Sequence, residues 1–382
     1  MLGQPWAGPS GAIGVYVGSG ADVYHGLEFC AVAASTGLEV SVVAATEALR
    51  AVPDEAWRSV GGCREVVSVE EVPAGHFRAR GATMAVAVCF DPASDGERVA
   101  RLAAGIPTVA IEPPSVRRRP QFAGPTPTDT GAPFVVLAAA DGEPPADYVT
   151  LAFDALRFAV SRAQGPLQGR HIVVTAGGTR EPLDPVRFIT NRSSGRMGHA
   201  LALAARDRGA TVTLISSADR MPSPYGVARV RFHDVASLRE AVLTAAEGAD
   251  ALVMAAAVSD YRPRAVSPQK IKKSSQGLTL ELGTVPNFIP EVPAGVLRVG
   301  FAAETDPDPT KAAAKLASRG FDMLCLNDVS RSDAGFEVDT NVLCILDAAG
   351  IRAQTPLLPK TEIAHIVMEH TAQLLTDGSR HA

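Results

Sequence analysis

The stretch 175–198, TAGGTREPLDPVRFITNRSSGRMG, concentrates residue types that handle anions. Gly177 and Gly178 directly follow an apolar run, where missing Cβ atoms let backbone N–H groups approach a ligand. The turn has no GxGxxG pattern, so it is not a dinucleotide fingerprint. Further on, Asn191-Arg192-Ser193-Ser194-Gly195-Arg196 leads small hydroxyl residues and a glycine into a helix. A helix start of that kind offers unpaired N–H groups and positive dipole charge to a phosphate. It is equally an ordinary capped start, with Ser194 as N-cap. Asp260 stands just beyond the apolar run 255–258, placed either to bind a ribose hydroxyl or base amino group or simply to close a turn.

Lysine is scarce. Only Lys270, Lys272, Lys273, Lys311, Lys315 and Lys360 interrupt an otherwise all-arginine set of 36 cations, and three of the six sit within four residues. Where arginine is the default, such a cluster suggests compact point charges that grip phosphates; the plainer alternative is a solvated face. Alternation along an extended segment sends Lys270 and Lys272 to one side and Lys273 to the other. Lys311, Lys315 and Arg319 recur at helical spacing, with Lys315 and Arg319 on one face able to converge on phosphates.

The elements that must carry these residues read as strands alternating with helices. Strands are expected at 12–17, 38–43, 84–90, 107–111 and 134–137, with helices near 24–35 and 148–160 and a proline-rich, loop-like stretch at 113–133. The polar Gly/Pro segment 163–170 is the expected linker. The alternation resumes with strands at 171–175, 211–216, 251–255, 278–282, 297–301, 323–326 and 342–346, and helices at 199–207, 236–247 and 361–375. Short buried strands between helices imply parallel sheets, so the expected fold is α/β: two tandem doubly wound, Rossmann-like domains, 1–165 and 171–382.

Composition narrows the classes. The 382 residues suit two domains, and 46% hydrophobic with 20% charged residues supports packed cores. A net charge of −5 gives no basic field for nucleic acid or anionic membrane. No apolar run is long enough to span a bilayer, and residues 1–11 lack a positive, then apolar, leader. The five cysteines form no CxxC or zinc spacing, which suits reduced thiols in the cytoplasm, and no metal ligands are assigned.

Together, 175–198, AAAVSDYRP from 255, KIKK from 270, GFAAET from 300, NDVSRSDAGFEVDTN from 327 and LPKTEIAH from 358 resemble bacterial phosphopantothenate–cysteine ligase over about 171–375. That family's reaction in coenzyme A synthesis is CTP-dependent. The carboxylate of 4′-phosphopantothenate attacks the α-phosphate of CTP, and the cysteine amine then attacks the acyl-cytidylate. The resemblance implies catalytic roles for Asn191, as donor to the acyl carbonyl, and for Lys270, which also binds CTP. It implies nucleotide contacts from Asp260, Pro286, Asn287, Phe288, Ile289, Phe301, Lys315 and Arg319, with Mg2+ accompanying the CTP, beside the anion contacts expected of Gly177, Gly178, Ser193, Ser194 and Gly195 from their residue types. Arg319 stands where the family commonly has lysine. Val285, Asn287 and Phe288 replace the Asn, Asp and Ile of the usual N-P-D-I stretch.

In many bacteria this ligase is fused behind phosphopantothenoylcysteine decarboxylase, a flavin-binding, flavodoxin-like domain, and the N-terminal half has the matching position. Its motifs are eroded. Asp22 enters the first turn, where an acid beside a flavin phosphate costs electrostatically; Pro113-Pro114-Ser115-Val116 lacks the family's asparagine; and no cysteine lies between 89 and 325. His76 aligns either with the catalytic histidine or is a polar surface residue. Position argues for FMN and the residues argue against it. The resemblance therefore implies a degenerate, inactive decarboxylase-type domain with a structural or oligomerising role, and a homo-oligomer paired through the ligase domain. Two other readings stay open: a paralogue that uses the same CTP chemistry on another carboxylate or amine, or stops at cytidylyl transfer, and a non-catalytic nucleotide-binding scaffold.

Overall fold

The structure, a computed structural model, describes residues 12–18, 23–35, 39–59, 63–80, 82–88, 96–103, 106, 108–112, 134–138, 154, 158 and, apart from 220, 222, 274 and 276, all of 165–378. The chain divides into two compact units, Met1–Ala163 and Gln164–Ala382.

In the first unit, strands β1 (Ala12–Val17), β2 (Glu39–Ala44), β3 (Cys63–Ser68), β4 (Ala82–Val88), β5 (Thr108–Glu112) and β6 (Phe134–Ala138) form one sheet in the order β3-β2-β1-β4-β5-β6. Every pairing is parallel, and the order reverses between β1 and β4, as in a Rossmann-type doubly wound sheet. β3 is not among the expected strands, because this sheet-edge strand, CREVVS, mixes charge into the apolar pattern. The expected loop at 113–133 lies outside the described residues, as do Asp22 and 113–116, and of the expected helix at 148–160 only residues 154 and 158, both helical, are described. His76 is not a surface residue: it is 7% exposed, with Nε2 3.4 Å from Glu65 Oε2.

The second unit holds β7 (His171–Ala176), β8 (Arg180–Pro182), β9 (Phe188–Thr190), β10 (Thr211–Ser216), β11 (Val227–Arg231), β12 (Ala251–Met254) and β13 (Tyr261–Pro263). It continues through β14 (Leu282–Thr284), β15 (Leu297–Glu304), β16 (Met323–Asp328), β17 (Thr340–Asn341), β18 (Leu343–Asp347), β19 (Gly350–Gln354) and β20 (Leu358–Pro359). The main sheet runs β11-β10-β7-β12-β15-β16-β18-β19. Its first six strands are parallel, as expected, while β18 and β19 add an antiparallel edge. The link from β16 to β18 contains no helix to make a parallel crossover, and a tight turn at Gly350 folds β19 straight back.

Alternation along the strands splits the core. Ile172, Val174, Leu214, Val253, Val299 and Cys325 face the helices Arg196–Arg206 and Lys360–Thr376, which pack on each other. Val173, Ile215 and Leu252 face the helix Val235–Ala246 with Phe288 and Val292, and Ala302, Leu324 and Leu326 face the helix Pro309–Arg319. The expected strand at 278–282 is a correction. Only Leu282 is in a strand, because β14 pairs for three residues with β13, and Leu278 and Leu280 are left exposed with no sheet face to cover them. Among the described residues no helix is long and apolar enough to cross a membrane.

Candidate functional site

A cleft of about 540 Å³ opens at the carboxyl ends of the parallel strands, where open α/β sheets place ligands. The 191–198 loop, the 254–260 turn after β12, the 285–289 segment, the end of β15 and the helix Pro309–Arg319 all line it.

The loop entering the helix Arg196–Arg206 is built around Gly195, which serves as N-cap at φ 80°. A Cβ there would lie 2.7 Å from Ala218 Cβ, so both backbone conformation and space demand glycine. Ser194 was a candidate N-cap, yet the cap is Gly195, and Ser194 Oγ accepts only a long 3.5 Å bond from the Arg196 N–H. Gly198 lets the helix approach β7 closely: a Cβ there would sit 2.4 Å from Ala176 Cβ. Gly177 and Gly178 do not line the cleft; they floor the loop, and Gly177 O accepts the Ala257 N–H at 2.8 Å. His199, buried one turn into the helix, bonds through Nδ1 to Gly195 O at 3.1 Å. Burial pushes its pKa below the ordinary value.

Asn191 is held at the rim by its Nδ2, which donates to Ala257 O at 3.2 Å, while Thr190 Oγ1 donates to Thr179 O at 2.8 Å. One amide N–H therefore anchors Asn191, and the side chain remains exposed to the cleft. Asp260 is exposed, with Oδ1 3.9 Å from Arg319 Nη2, and its carbonyl accepts the Val285 N–H at 2.8 Å. Lys315 Nζ donates to Glu304 Oε1 at 2.9 Å. Both cations predicted to meet phosphates thus rest on carboxylates in half-exposed pairs of the kind that exchange readily for another anion. Phe301 also lines the cleft.

The 285–289 segment explains its own departures. Asn287 Nδ2 donates to Arg319 O at 3.2 Å while its Oδ1 accepts the Ile289 N–H, tying the segment to the end of the Arg319 helix. Phe288 is buried in the core beneath.

Lys270 does not line the cleft. It is exposed on the 264–281 segment, which Asp184 anchors: the Asp184 carboxylate accepts N–H bonds from Val186, Arg187 and Ile271 and a two-pronged bond from the Arg187 guanidinium, which also donates to Ile271 O at 2.7 Å. The Arg187 bonds hold that carboxyl far below the usual carboxylate range.

Sequence reasoning assigned no role to Asn327, Asn341 or Lys360, which also line the cleft and are buried. Asn327 is the penultimate residue of β16, and its Oδ1 has no hydrogen-bond partner among the described residues. The signal that could have found Lys360 is the scarcity of lysine itself. Among the described residues, no three His, Cys, Asp or Glu side chains gather as a metal would require.

Residues 167–375 match the family model for the DNA/pantothenate metabolism flavoprotein C-terminal domain. The chain is 40% identical over 213 residues to the coenzyme A biosynthesis bifunctional protein CoaBC of Bacillus subtilis, covering 55% of this chain and 52% of that one. It is 43% identical over 223 residues to the protein of the same name from Escherichia coli, covering 56% and 54%. The chain spans about half the length of the curated relatives it matches. A crystal structure of the C-terminal domain of a CoaBC protein is 32% identical with a TM-score of 0.48, covering 56% of this chain and all of that one. With the family model matched over more than half its length, this chain belongs to the DNA/pantothenate metabolism flavoprotein family through its C-terminal domain.

Proposed function

We propose that the second unit is a CTP-dependent phosphopantothenate–cysteine ligase. The observation that carries this reading is the convergence, in one cleft, of Asn191, the Ser193-Ser194-Gly195 helix start, Asp260, the 286–289 segment, Phe301, Lys315 and Arg319. In this reading the nucleotide lies along Asp260, Phe301 and the 286–289 segment. Lys315 and Arg319 leave Glu304 and Asp260 for its phosphates. A carboxylate oxygen of 4′-phosphopantothenate then attacks the α-phosphorus and pyrophosphate leaves. The cysteine amine attacks the acyl carbon next, the carbon–oxygen bond to the nucleotide breaks, and CMP departs.

Asn191 supplies the second N–H of its amide to the acyl oxygen as negative charge develops there. Lys270 neutralises phosphate charge. Magnesium enters as the nucleotide's own counterion, which is how that ion commonly reaches such sites. Asn287 and Phe288 hold the nucleotide-binding segment by packing and backbone bonds, which supports its retention despite the changed residues.

The hairpins β8–β9 and β13–β14 expose Val186, Phe188, Tyr261 and Leu282, and apolar exposure of this extent supports pairing of two ligase units. The first unit is read as a decarboxylase-type domain without activity, on the motif losses in its sequence. FMN binding by it stays doubtful on the same losses. We place the protein in the cytoplasm.

The test is pyrophosphate release from CTP and magnesium with 4′-phosphopantothenate, with and without cysteine, beside a Lys270→Gln control. CMP together with a phosphopantothenoyl-cysteine mass, both lost in the variant, is the expected result. Turnover only with another carboxylate would replace this reading by that of a paralogue. CTP binding without turnover on any acid would leave a nucleotide-binding scaffold.

A further inference from the structure

Lys360 is a cation in an unfavourable place. It is 6% exposed and is the first residue of the helix Lys360–Thr376, where the helix dipole disfavours positive charge. Arg196, which opens the neighbouring helix, adds a like charge. Among the described residues the carboxylate acting on Lys360 is Asp339, which is exposed and lies 3.3 Å from the Arg196 guanidinium. Burial and Arg196 bring the lysine down to about 8. Holding a charge there costs folding energy, and a neutral side chain would remove that cost.

The geometry indicates what the charge is for. Lys360 Nζ donates to Gly335 O at 2.8 Å and to Val338 O, which uses two of an ammonium's three donors. The third has no acceptor among the described residues, and Lys360 lines the cleft. The same cleft is lined by buried Asn341 and by buried Asn327, whose Oδ1 has no partner among the described residues. Asn327 Oδ1 is an acceptor, so it is completed by a ligand hydroxyl or N–H or by a water rather than by a phosphoryl oxygen, and the phosphate's partner here is the Lys360 ammonium. The two helices whose first residues are Arg196 and Lys360 pack on each other, so both positive dipole ends reach this cleft.

We propose that Lys360 is a phosphate-binding residue of the cleft, giving its third N–H to a phosphoryl oxygen. The phosphoryl group belongs either to the nucleotide or to the second, phosphorylated substrate; both present the same chemistry. The inference rests on the ligase reading only for the choice of ligands assayed.

The experiment is calorimetric binding of CTP, pyrophosphate, 4′-phosphopantothenate and phosphate-free cytidine to the full chain, as wild type, Lys360→Gln and Lys360→Arg, from about pH 7 to about pH 9. Lys360→Gln is expected to weaken at least one phosphate-bearing ligand by about tenfold or more and to leave cytidine unchanged. Loss confined to CTP and pyrophosphate assigns the nucleotide, and loss confined to phosphopantothenate assigns the second substrate. The charged groups facing Lys360 are Arg196 and Asp339, and wild-type affinity should fall as pH rises through about 8, as Lys360 loses its proton. Lys360→Arg, which stays charged, should abolish that fall. Equal weakening of cytidine and the phosphates, or none, would overturn the proposal and leave Lys360 a fastener of the 335–338 loop. If Lys360→Gln does not fold, Lys360→Arg decides alone: a pH profile like the wild type's overturns the proposal. Because binding is read, failure of the ligase reading would appear separately, as absent turnover with phosphate binding intact.

Discussion

Asp184 accepts the backbone N–H of Ile271 at 3.1 Å, bridging 87 positions of sequence to hold the start of the lysine cluster. The carboxylate is fully buried, while the Arg187 side chain that pairs with it is partly exposed. Asp184→Asn should lower Tm and raise the KM for CTP more than it lowers kcat, because it loosens the segment that carries Lys270. The pH dependence has a definite sign. A carboxyl held below its ordinary 3.8 stabilises the fold fully above that pH and loses the contribution as pH falls through the folded value. The variant should lack that part of the acid-side slope in a Tm-versus-pH series.

Asn191 presents one anchored and one available amide N–H. Asn191→Ala should reduce kcat by about a hundredfold to a thousandfold, the range for losing one preorganised donor to a developing oxyanion, with KM for CTP little changed. Steady-state kinetics on both substrates checks this. A KM effect without a kcat effect would assign Asn191 to binding instead.

Lys270 stands outside the cleft in the free chain, yet the proposed reaction places it at the phosphates. Nucleotide binding should therefore draw in the exposed 270–273 segment and slow tryptic cleavage after Lys270, Lys272 and Lys273, read by peptide mass spectrometry. Unchanged cleavage at saturating CTP would show that these lysines do not engage the nucleotide.

The central strands of both sheets were legible because each is a short apolar run, continuous since both faces are buried: HIVVT, TVTLIS and ALVM announce themselves. Edge strands were not. β11 is VARVR, and β19 is GIRAQ; both are half in solvent and carry arginines that break the apolar signal. The cleft lining was legible at Asp260 and Lys315 from residue type and spacing, and at Asn191 from the resemblance. It was hidden where burial decides, as at Lys360 and Asn327, because only the folded chain shows a cation or an amide enclosed beside a cleft.

His199 supplies a second pH test. Its ring is buried, held to Gly195 O, and shifted below its ordinary 6.5, so the folded state resists protonation. Below pH 6.5 the unfolded chain takes up a proton that the folded chain does not, and stability falls as pH drops. His199→Asn keeps a donor toward Gly195 O but cannot titrate. Its Tm should decline less than that of the wild type between about pH 8 and about pH 5.5, as followed by thermal unfolding. Parallel declines would remove His199 from the account.

The central claim is that the carboxylate attacks the α-phosphorus of CTP in this cleft. It is tested most directly with 4′-phosphopantothenate labelled with heavy oxygen in its carboxylate, turned over with CTP, magnesium and cysteine, and the products weighed by mass spectrometry. The account predicts one labelled oxygen in CMP and none in pyrophosphate, because the oxygen that bonds to the α-phosphorus leaves with the nucleotide. Label in pyrophosphate or inorganic phosphate, or unlabelled CMP, would contradict it.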